Sequence, residues 1–201
     1  MSTRLVLVAV AAGVLGVAAG WWWQGDVSRR QMPDATRPAS PSASAAVPVA
    51  ALGEAMPGIV LPDPQGKSID LARLAAGRPL LINAWASWCA PCVKEMPELD
   101  RFAAAQGARG VQVVGLALDS AQNVQQFLQR VPVRYTLVLD TPGPADASVR
   151  LGNRAGVLPY SVLIGADGRL LRQKIGPFAD GEIERWIGEM APASGQIQTR
   201  D

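Results

Sequence analysis

From residue 79 onward, short apolar runs alternate with stretches in which apolar side chains recur every three or four positions. Continuous apolar runs of this length predict strands that are buried on both faces. The intervening stretches, residues 90–106 and 121–131, predict amphipathic helices. The predicted buried strands are PLLINAWA (79–86), VQVVGLAL (111–118) and TLVLD (136–140).

The last third of the chain predicts an antiparallel pair. YSVLI (160–164) and RLLRQKI (169–175) flank GADG (165–168), a strong hairpin turn signal. A short helix is predicted near residues 143–151 and an amphipathic one over 180–190. Strand–helix alternation that ends in a hairpin predicts a three-layer α/β/α domain with a mixed central sheet.

The N-terminus carries a long apolar segment, with no charged side chain from Leu5 to Trp23. As a helix it would be about 28 Å long at ~1.5 Å per residue, close to the ~30 Å hydrocarbon core of a bilayer. Tryptophans at 21–23 would lie at the membrane interface, which amphipathic rings favour. Residues 1–23 are therefore predicted to be a signal anchor that forms a transmembrane helix, with a cleaved signal peptide as the alternative.

Composition divides the rest of the chain. Residues 24–52 are rich in Pro, Ala and Ser without apolar periodicity, which predicts an extended, mobile linker. Residues 53–190 form the predicted folded domain, and residues 191–201 a flexible tail. Arg4 favours a cytoplasmic N-terminus whereas Arg29 and Arg30 favour the opposite, so charge alone leaves the orientation open.

The charge balance argues against nucleic-acid binding. The chain has 19 Lys and Arg, 17 Asp and Glu, and a formal charge of +2, and the two signs are equal in number between Gly53 and Met190. A nucleic-acid interface needs a clustered basic face, which this composition does not indicate.

Both cysteines, Cys89 and Cys92, lie in WASWCAPC, and the chain has no histidine. A structural zinc site needs about four Cys or His ligands, so one chain cannot build it, and a Cys–His copper site fails for the same reason. As a structural cross-link the pair would close a very short loop, which removes little entropy from the unfolded chain. Thiol–disulfide exchange is the chemistry that remains.

The position of the pair favours exchange. Cys89 follows a predicted buried strand and precedes a predicted helix, with Pro91 near the first helical position, where proline is tolerated. Free backbone N–H groups and the helix dipole at such a position stabilise a thiolate, the reactive form. Cys89 is therefore predicted to be the exposed attacking sulfur, and Cys92 to resolve the mixed disulfide.

LINAWASWCAPCVKEMPEL resembles the active-site region of membrane-anchored thioredoxin-like proteins of the TlpA, ResA and CcmG type. The resemblance extends from Met56 to Ile187 and includes LPDPQGKSIDL, VVGLALD and GVLPYSVLIGADGRL. It implies a thioredoxin-like fold and thiol–disulfide oxidoreductase activity outside the cytosol, with no metal or organic cofactor beyond the redox-active disulfide.

The resemblance also implies roles for residues outside the cysteine pair. Pro159 matches the family's cis-proline, which lies against the cysteines, with a trans proline that starts a strand as the alternative. Leu158 would then offer backbone groups to an extended client peptide. Trp88 is expected to shield the site. Trp85 is expected to pack beside it, although ordinary core packing explains Trp85 almost as well.

Glu95 matches an acid that the family keeps in VKEMP. It follows Cys92 by three residues and so lies on the same helical face, which favours a role in proton handling over that of a surface glutamate. Asn83 lies where ordinary thioredoxins hold a buried Asp. An amide cannot accept the Cys92 proton, which shifts that task to Glu95 or water; a core hydrogen-bonding role is the alternative for Asn83.

The resulting hypothesis is a single-pass protein of the inner membrane with its catalytic domain on the periplasmic side. It would reduce disulfides in exported clients such as apocytochrome c or oxidase assembly factors, and a membrane electron donor of the DsbD or CcdA kind would re-reduce it. The alternatives are a dithiol oxidant and a redox-inactive client-binding module. A peroxiredoxin is disfavoured because WASWCAPC lacks the Pro-x-x-x-Thr-x-x-Cys setting of its reactive cysteine.

Overall fold

A computed structural model of the chain describes residues 47–188. The predicted transmembrane helix (1–23), most of the predicted linker (24–52) and the predicted tail (191–201) lie outside these residues. Within the described part, no helix has both the length and the apolar character needed to cross a membrane.

Seven strands and five helices make up the described residues, and their order follows the predicted alternation. The strands are β1 (Val60–Pro62), β2 (Ser68–Asp70), β3 (Leu80–Trp85), β4 (Gln112–Leu118), β5 (Thr136–Asp140), β6 (Tyr160–Ile164) and β7 (Leu170–Ile175). The helices are α1 (Leu71–Ala75), α2 (Ala90–Ala105), α3 (Ala121–Leu128), α4 (Ala147–Arg150) and α5 (Glu182–Gly188). The short hairpin β1–β2 and helix α1 are additions that the sequence pattern did not predict.

Five strands form the central sheet in the order β5-β4-β3-β6-β7. β4 runs parallel to β3 and to β5, whereas β6 is antiparallel to both β3 and β7. The predicted mixed sheet and the predicted terminal hairpin are therefore confirmed. β3, which leads to the cysteine pair, lies at the centre with all six residues buried, so a fully buried strand positions the site.

Helices cover both faces of the sheet, which confirms the predicted three-layer arrangement. On one face α2, α3 and α5 contribute Met96, Phe127 and Trp186 to an apolar cluster that also contains both cysteines. On the other face α1 and α4 contribute Leu71 and Ala147 to a second cluster. Because both faces are covered, the strands need no polar face, and this explains their continuous apolar runs.

The packed part of the chain begins slightly before the predicted boundary at Gly53. Ala50 is buried, and its N–H donates to the carbonyl oxygen of Arg150 at 2.9 Å. The Gly53 N–H donates to the carbonyl oxygen of Leu170 at 2.7 Å. The end of the predicted linker is therefore part of the domain, fixed by backbone hydrogen bonds that an Ala-rich sequence does not reveal.

Candidate active site

Helix α2 begins at the cysteine pair. Cys89 has extended backbone geometry and is the N-cap residue; its Sγ accepts a hydrogen bond from the Cys92 N–H at 3.3 Å. Pro91 lies in the first turn of the helix, as predicted, where its missing N–H would have had no helical partner. The two cysteines are joined as a disulfide. The reactive sulfur therefore takes the place that a Ser or Asp side chain takes in an ordinary N-cap.

The two cysteines differ in exposure. Cys89 is 5% exposed and Cys92 is fully buried at 0%, so the expectation of an exposed Cys89 is wrong in degree although the order is as predicted. The contacts of the apolar cluster around the disulfide cover most of Cys89. This difference favours attack at Cys89 and a resolving role for Cys92.

Trp88, predicted to shield the site, is 69% exposed. Most of its side chain faces solvent, and the shielding role stays a prediction. A large exposed aromatic side chain next to a reactive residue offers apolar contact area to a client.

Glu95 is buried one turn after Cys92, with 3% of its surface exposed. Its Oε1 accepts a hydrogen bond from the Asn83 Nδ2 at 2.9 Å, and its Oε2 accepts one from the Phe178 N–H at 2.7 Å. Burial raises the pKa of Glu95 above its usual value, and the hydrogen bonds from Phe178 and Asn83 and the charge of Lys174 only partly offset it. The interpretation of Glu95 as an ordinary surface glutamate is therefore wrong.

Asn83 connects Glu95 to the neighbouring strand. Its Nδ2 also donates to the Ser161 Oγ at 3.0 Å, and the two residues are direct register partners between β3 and β6. Asn83 and Ser161 are both fully buried. The sequence reasoning missed Ser161, although a lone hydroxyl inside the apolar run YSVLI was a signal, because a buried polar group needs a partner.

The Leu158–Pro159 peptide bond is cis, as the resemblance implied. Pro159 is buried, and Leu158 is half-buried against the apolar cluster that holds both cysteines. The Pro159 carbonyl oxygen is held by the Gly176 N–H at 2.9 Å. The predicted client-binding segment therefore lies on the same cluster as the disulfide.

Trp85 is fully buried, and its ring packs against that of Phe127 with the centroids 5.1 Å apart. Both belong to the cluster around the cysteines, so packing beside the site and core packing are the same role for this residue.

A cleft of about 500 Å³ opens beside the first turns of α2. Glu95 is one of the residues that line it. The other lining residues are Pro91, Lys94, Glu98, Pro177, Phe178, Ala179 and Asp180. Across the part of the chain that is described, no three Cys, Asp or Glu side chains converge in a way that could hold a metal ion.

The geometry supports disulfide exchange in two steps. A thiolate attacks Cys89, or Cys89 as a thiolate attacks a disulfide, at the positive end of the α2 dipole. When an outside thiolate attacks Cys89, the internal disulfide breaks in the same step, and Cys92 leaves as a thiolate that takes up a proton. When a mixed disulfide at Cys89 is resolved, Cys92 loses its proton to a nearby base and attacks the Cys89 sulfur, which releases the partner sulfur as a thiolate. Glu95 is the titratable group on the same helical face, and its raised pKa brings it closer to that of a useful general base near neutral pH.

Comparison with known proteins agrees with this chemistry. The sequence pattern of the Redoxin family matches residues 51–186. The chain is 28% identical over 142 residues to the thiol-disulfide oxidoreductase ResA of Bacillus cereus, covering 70% of this chain and 79% of that protein. Against ResA of Bacillus subtilis (strain 168) it is 29% identical over 141 residues, covering 70% and 76%.

Solved structures show the same fold. A thiol:disulfide interchange protein DsbE from Chlorobium tepidum superimposes with a TM-score of 0.60 at 28% identity, covering 69% of this chain and 96% of that one. The thioredoxin-like fold expected from the sequence is thereby confirmed. With the Cys89–Cys92 disulfide at the start of α2 and the Redoxin pattern over more than half of its length, the chain belongs to the Redoxin family and is a thiol–disulfide oxidoreductase.

Proposed function

We propose that this oxidoreductase works outside the cytosol, held to the inner membrane by residues 1–23, and reduces disulfides in exported proteins. Its clients would be cysteine pairs in proteins such as apocytochrome c or oxidase assembly factors. A membrane electron donor of the DsbD or CcdA kind would return Cys89–Cys92 to the dithiol state. The apolar N-terminal segment, the Pro-rich linker and the similarity to ResA proteins support this proposal.

The reducing direction rests on the resemblance to TlpA, ResA and CcmG proteins, and the exchange chemistry itself rests on the buried Glu95 on the face of α2 that holds Cys92. In reduction, Cys89 first forms a mixed disulfide with the client, and Cys92 must then lose its proton to attack it. A carboxyl whose pKa is raised by burial is matched to that proton transfer, and Asn83 cannot perform it because an amide is not a base at neutral pH.

The reduction potential of the full-length chain in detergent tests the direction. Cys89–Cys92 is equilibrated against thiol buffers of known potential, and the oxidised fraction is read by alkylation and mass. A potential near the ~−270 mV of thioredoxin supports a reductant with a dedicated electron supply. A value near the ~−120 mV of the oxidant DsbA reverses the direction and supports the dithiol-oxidant alternative.

The redox-inactive binding module is tested by Cys89→Ser. A module that only binds would keep its function in this variant, whereas an exchange enzyme loses all turnover.

Proteolysis of sealed spheroplasts tests location: the domain should be cut by protease added outside, and protection from that protease would contradict the proposed topology.

A further inference from the structure

The carboxylate of Asp119, which lies on another segment of the chain, holds the turn that carries Cys89. Within this turn, the Cys89 N–H donates to the carbonyl oxygen of Ala86 at 3.0 Å. Ser87 lies inside the turn and donates twice to the same atom, Oδ2 of Asp119: through its N–H at 3.0 Å and through its Oγ at 2.5 Å. Asp119 directly follows β4, 32 residues further along the chain.

The other oxygen of Asp119 faces the opposite side. Oδ1 accepts hydrogen bonds from the Ser120 N–H at 2.7 Å and from the Asn123 Nδ2 at 2.8 Å, both at the start of α3. One oxygen is therefore fixed to the β4–α3 junction and the other to the active-site turn. Burial raises the pKa of Asp119, but the hydrogen bonds from Ser87, Asn123 and Ser120 outweigh it and lower the pKa below its usual value.

We propose that Asp119 is a positioning residue for disulfide exchange, which holds the Ala86–Cys89 turn so that the Cys89 sulfur stays at the start of α2 when the disulfide is open. It acts through Ser87 and does not touch the reacting atoms. The inference rests on the exchange activity of Cys89–Cys92 and is independent of the direction and location proposed above.

The physical reason lies in the dithiol state. In the oxidised protein the covalent link itself fixes Cys89 relative to Cys92. Once that link is reduced, the turn depends on its hydrogen bonds, and two of them end on Asp119. The rate of exchange and the tendency of the pair to close both depend on how well the two sulfurs are held together. Losing the carboxylate should therefore disfavour closure as well as slow exchange.

Asp119→Asn is the primary variant because it keeps the size of the side chain. An amide has one acceptor oxygen and one NH2 donor, so in either orientation the NH2 group meets donors, from Ser87 on one side or from Ser120 and Asn123 on the other. Ser87→Ala is the milder variant, since it removes only the hydroxyl bond. Ser87→Thr keeps the hydroxyl and should restore the wild-type behaviour.

Asp140→Asn is the matched control. Asp140 ends the neighbouring strand β5, and its two oxygens accept the backbone N–H groups of Thr141 and Ala147 at 2.8 Å and 2.7 Å. It fixes a strand–helix junction in the same way as Asp119 but bonds to no residue of the cysteine turn.

Two quantities are measured on the full-length chain: the second-order rate of exchange with a disulfide substrate, and the equilibrium constant for closing Cys89–Cys92 against dithiothreitol. For Asp119→Asn we expect the rate to fall about tenfold and the closing constant about threefold. Asp140→Asn should change neither the rate nor the closing constant, even if its midpoint of thermal unfolding falls as much as that of Asp119→Asn. If Asp119 had only a structural role, both variants would have a lower midpoint of thermal unfolding, and neither would have a changed equilibrium constant for closing Cys89–Cys92.

An exchange rate and closing constant for Asp119→Asn that match those of Asp140→Asn would overturn the inference. If Asp119→Asn does not fold, Ser87→Ala decides: about a threefold fall, reversed in Ser87→Thr, supports the role, and an unchanged rate overturns it. A wild-type chain that failed to exchange with dithiothreitol would instead contradict the oxidoreductase activity, so the two failures are distinguishable.

Discussion

The amide nitrogen of Asn83 donates to Oε1 of Glu95 at 2.9 Å, while the amide oxygen of Asn83 is buried without a partner among the described residues. In this orientation the Asn83 amide donates a hydrogen bond that stabilises the ionised form of Glu95. Rotating the amide by half a turn would bring its oxygen toward Glu95 and allow it to accept a hydrogen bond from a protonated carboxyl. The Ser161 hydroxyl can donate or accept, so it fits both orientations. We expect this pair to stabilise Glu95 in both protonation states.

Glu95→Gln should slow exchange without unfolding the domain. A glutamine keeps one acceptor for the Phe178 N–H, and once the Asn83 amide rotates by half a turn, the glutamine NH2 group can donate to the Asn83 oxygen. It cannot accept the Cys92 proton. We expect kcat for reduction of a protein disulfide to fall by about tenfold to a hundredfold, within the usual contribution of a general base.

The control for that measurement is Glu98→Gln. Glu98 lies one turn further along α2, and its carboxylate accepts a hydrogen bond from the Gly181 N–H at 3.0 Å. Glu98→Gln therefore makes the same chemical change as Glu95→Gln in the same helix. If the pH–rate profile of Glu95→Gln coincided with that of the wild type, Glu95 would have no proton-handling role.

The stability of the oxidised domain should fall with rising pH because of Glu95. Burial raises its folded-state pKa above the usual 4.5, so the folded state binds the proton more tightly than the unfolded state. The free energy of unfolding therefore decreases as the pH rises from 4.5 through the folded-state pKa, and Glu95→Gln should lack this decrease. Urea titrations of both proteins at several pH values measure it; parallel curves across that window would contradict the prediction.

Asn83→Asp should destabilise the domain at neutral pH more than at acid pH. The substitution places a second carboxyl within hydrogen-bond distance of Glu95 in a buried site, where two like charges cannot both be ionised at low cost. We expect the free energy of unfolding to fall by about 2–3 kcal/mol at pH near 8 and to recover partly at pH near 5, where the pair shares a proton. Asn83→Ala is the control, because its loss should not depend on this pair of charges.

Cys92→Ser should accumulate a mixed disulfide between Cys89 and a client, whereas Cys89→Ser should accumulate none. The prediction follows from the difference in burial, since only Cys89 has any exposed surface. Non-reducing electrophoresis after acid quenching separates the two variants. A mixed disulfide that formed through Cys92 would reverse the assignment of the attacking and resolving sulfurs.

Gly115→Ala tests the packing behind the site. A Cβ atom at this position of β4 would lie 2.5 Å from Leu137 Cδ2 and 3.1 Å from Trp85 Nε1. Overpacking of this kind costs about 1–3 kcal/mol, so the midpoint of urea unfolding should fall. Gly58→Ala is the control, since a Cβ atom there meets nothing within 4 Å. Equal stability of the two variants would show that Leu137 moves aside at no cost.

The apolar pattern predicted the main elements because each apolar run forms one buried strand or one buried helix face. The predicted strand 160–164 has the same bounds as β6, since it is buried along its whole length. β1 and β2 have three residues each, too few for alternation to be read, and their pairing depends on a turn in which Asp63 accepts the Lys67 N–H. Short edge pairs are therefore beyond what patterning can predict.

Helical spacing predicts the relative placement of site residues only where they lie close together in sequence, whereas the placement of Pro159 beside the cysteines came from the family resemblance. Cys89, Cys92 and Glu95 lie on one helix, so their relative placement follows from helical spacing. Contacts between distant segments have no such signal: the Phe178 N–H reaches Glu95 across 83 residues, and Ser87 meets Asp119 across 32. The same burial that raises the pKa of Glu95 comes from this tertiary packing, and no local pattern records it.

The contrast between Trp88, 69% exposed, and Cys89, 5% exposed, has a consequence for selectivity. If the client is a protein, we expect it to contact the broad indole surface before it reaches Cys89. A small molecule such as glutathione has nothing to gain from that surface and must find a nearly closed sulfur by collision alone. We therefore expect small thiols and oxidants to react with this disulfide more slowly than a protein partner does, so that its redox state follows its protein partners more closely than the bulk medium.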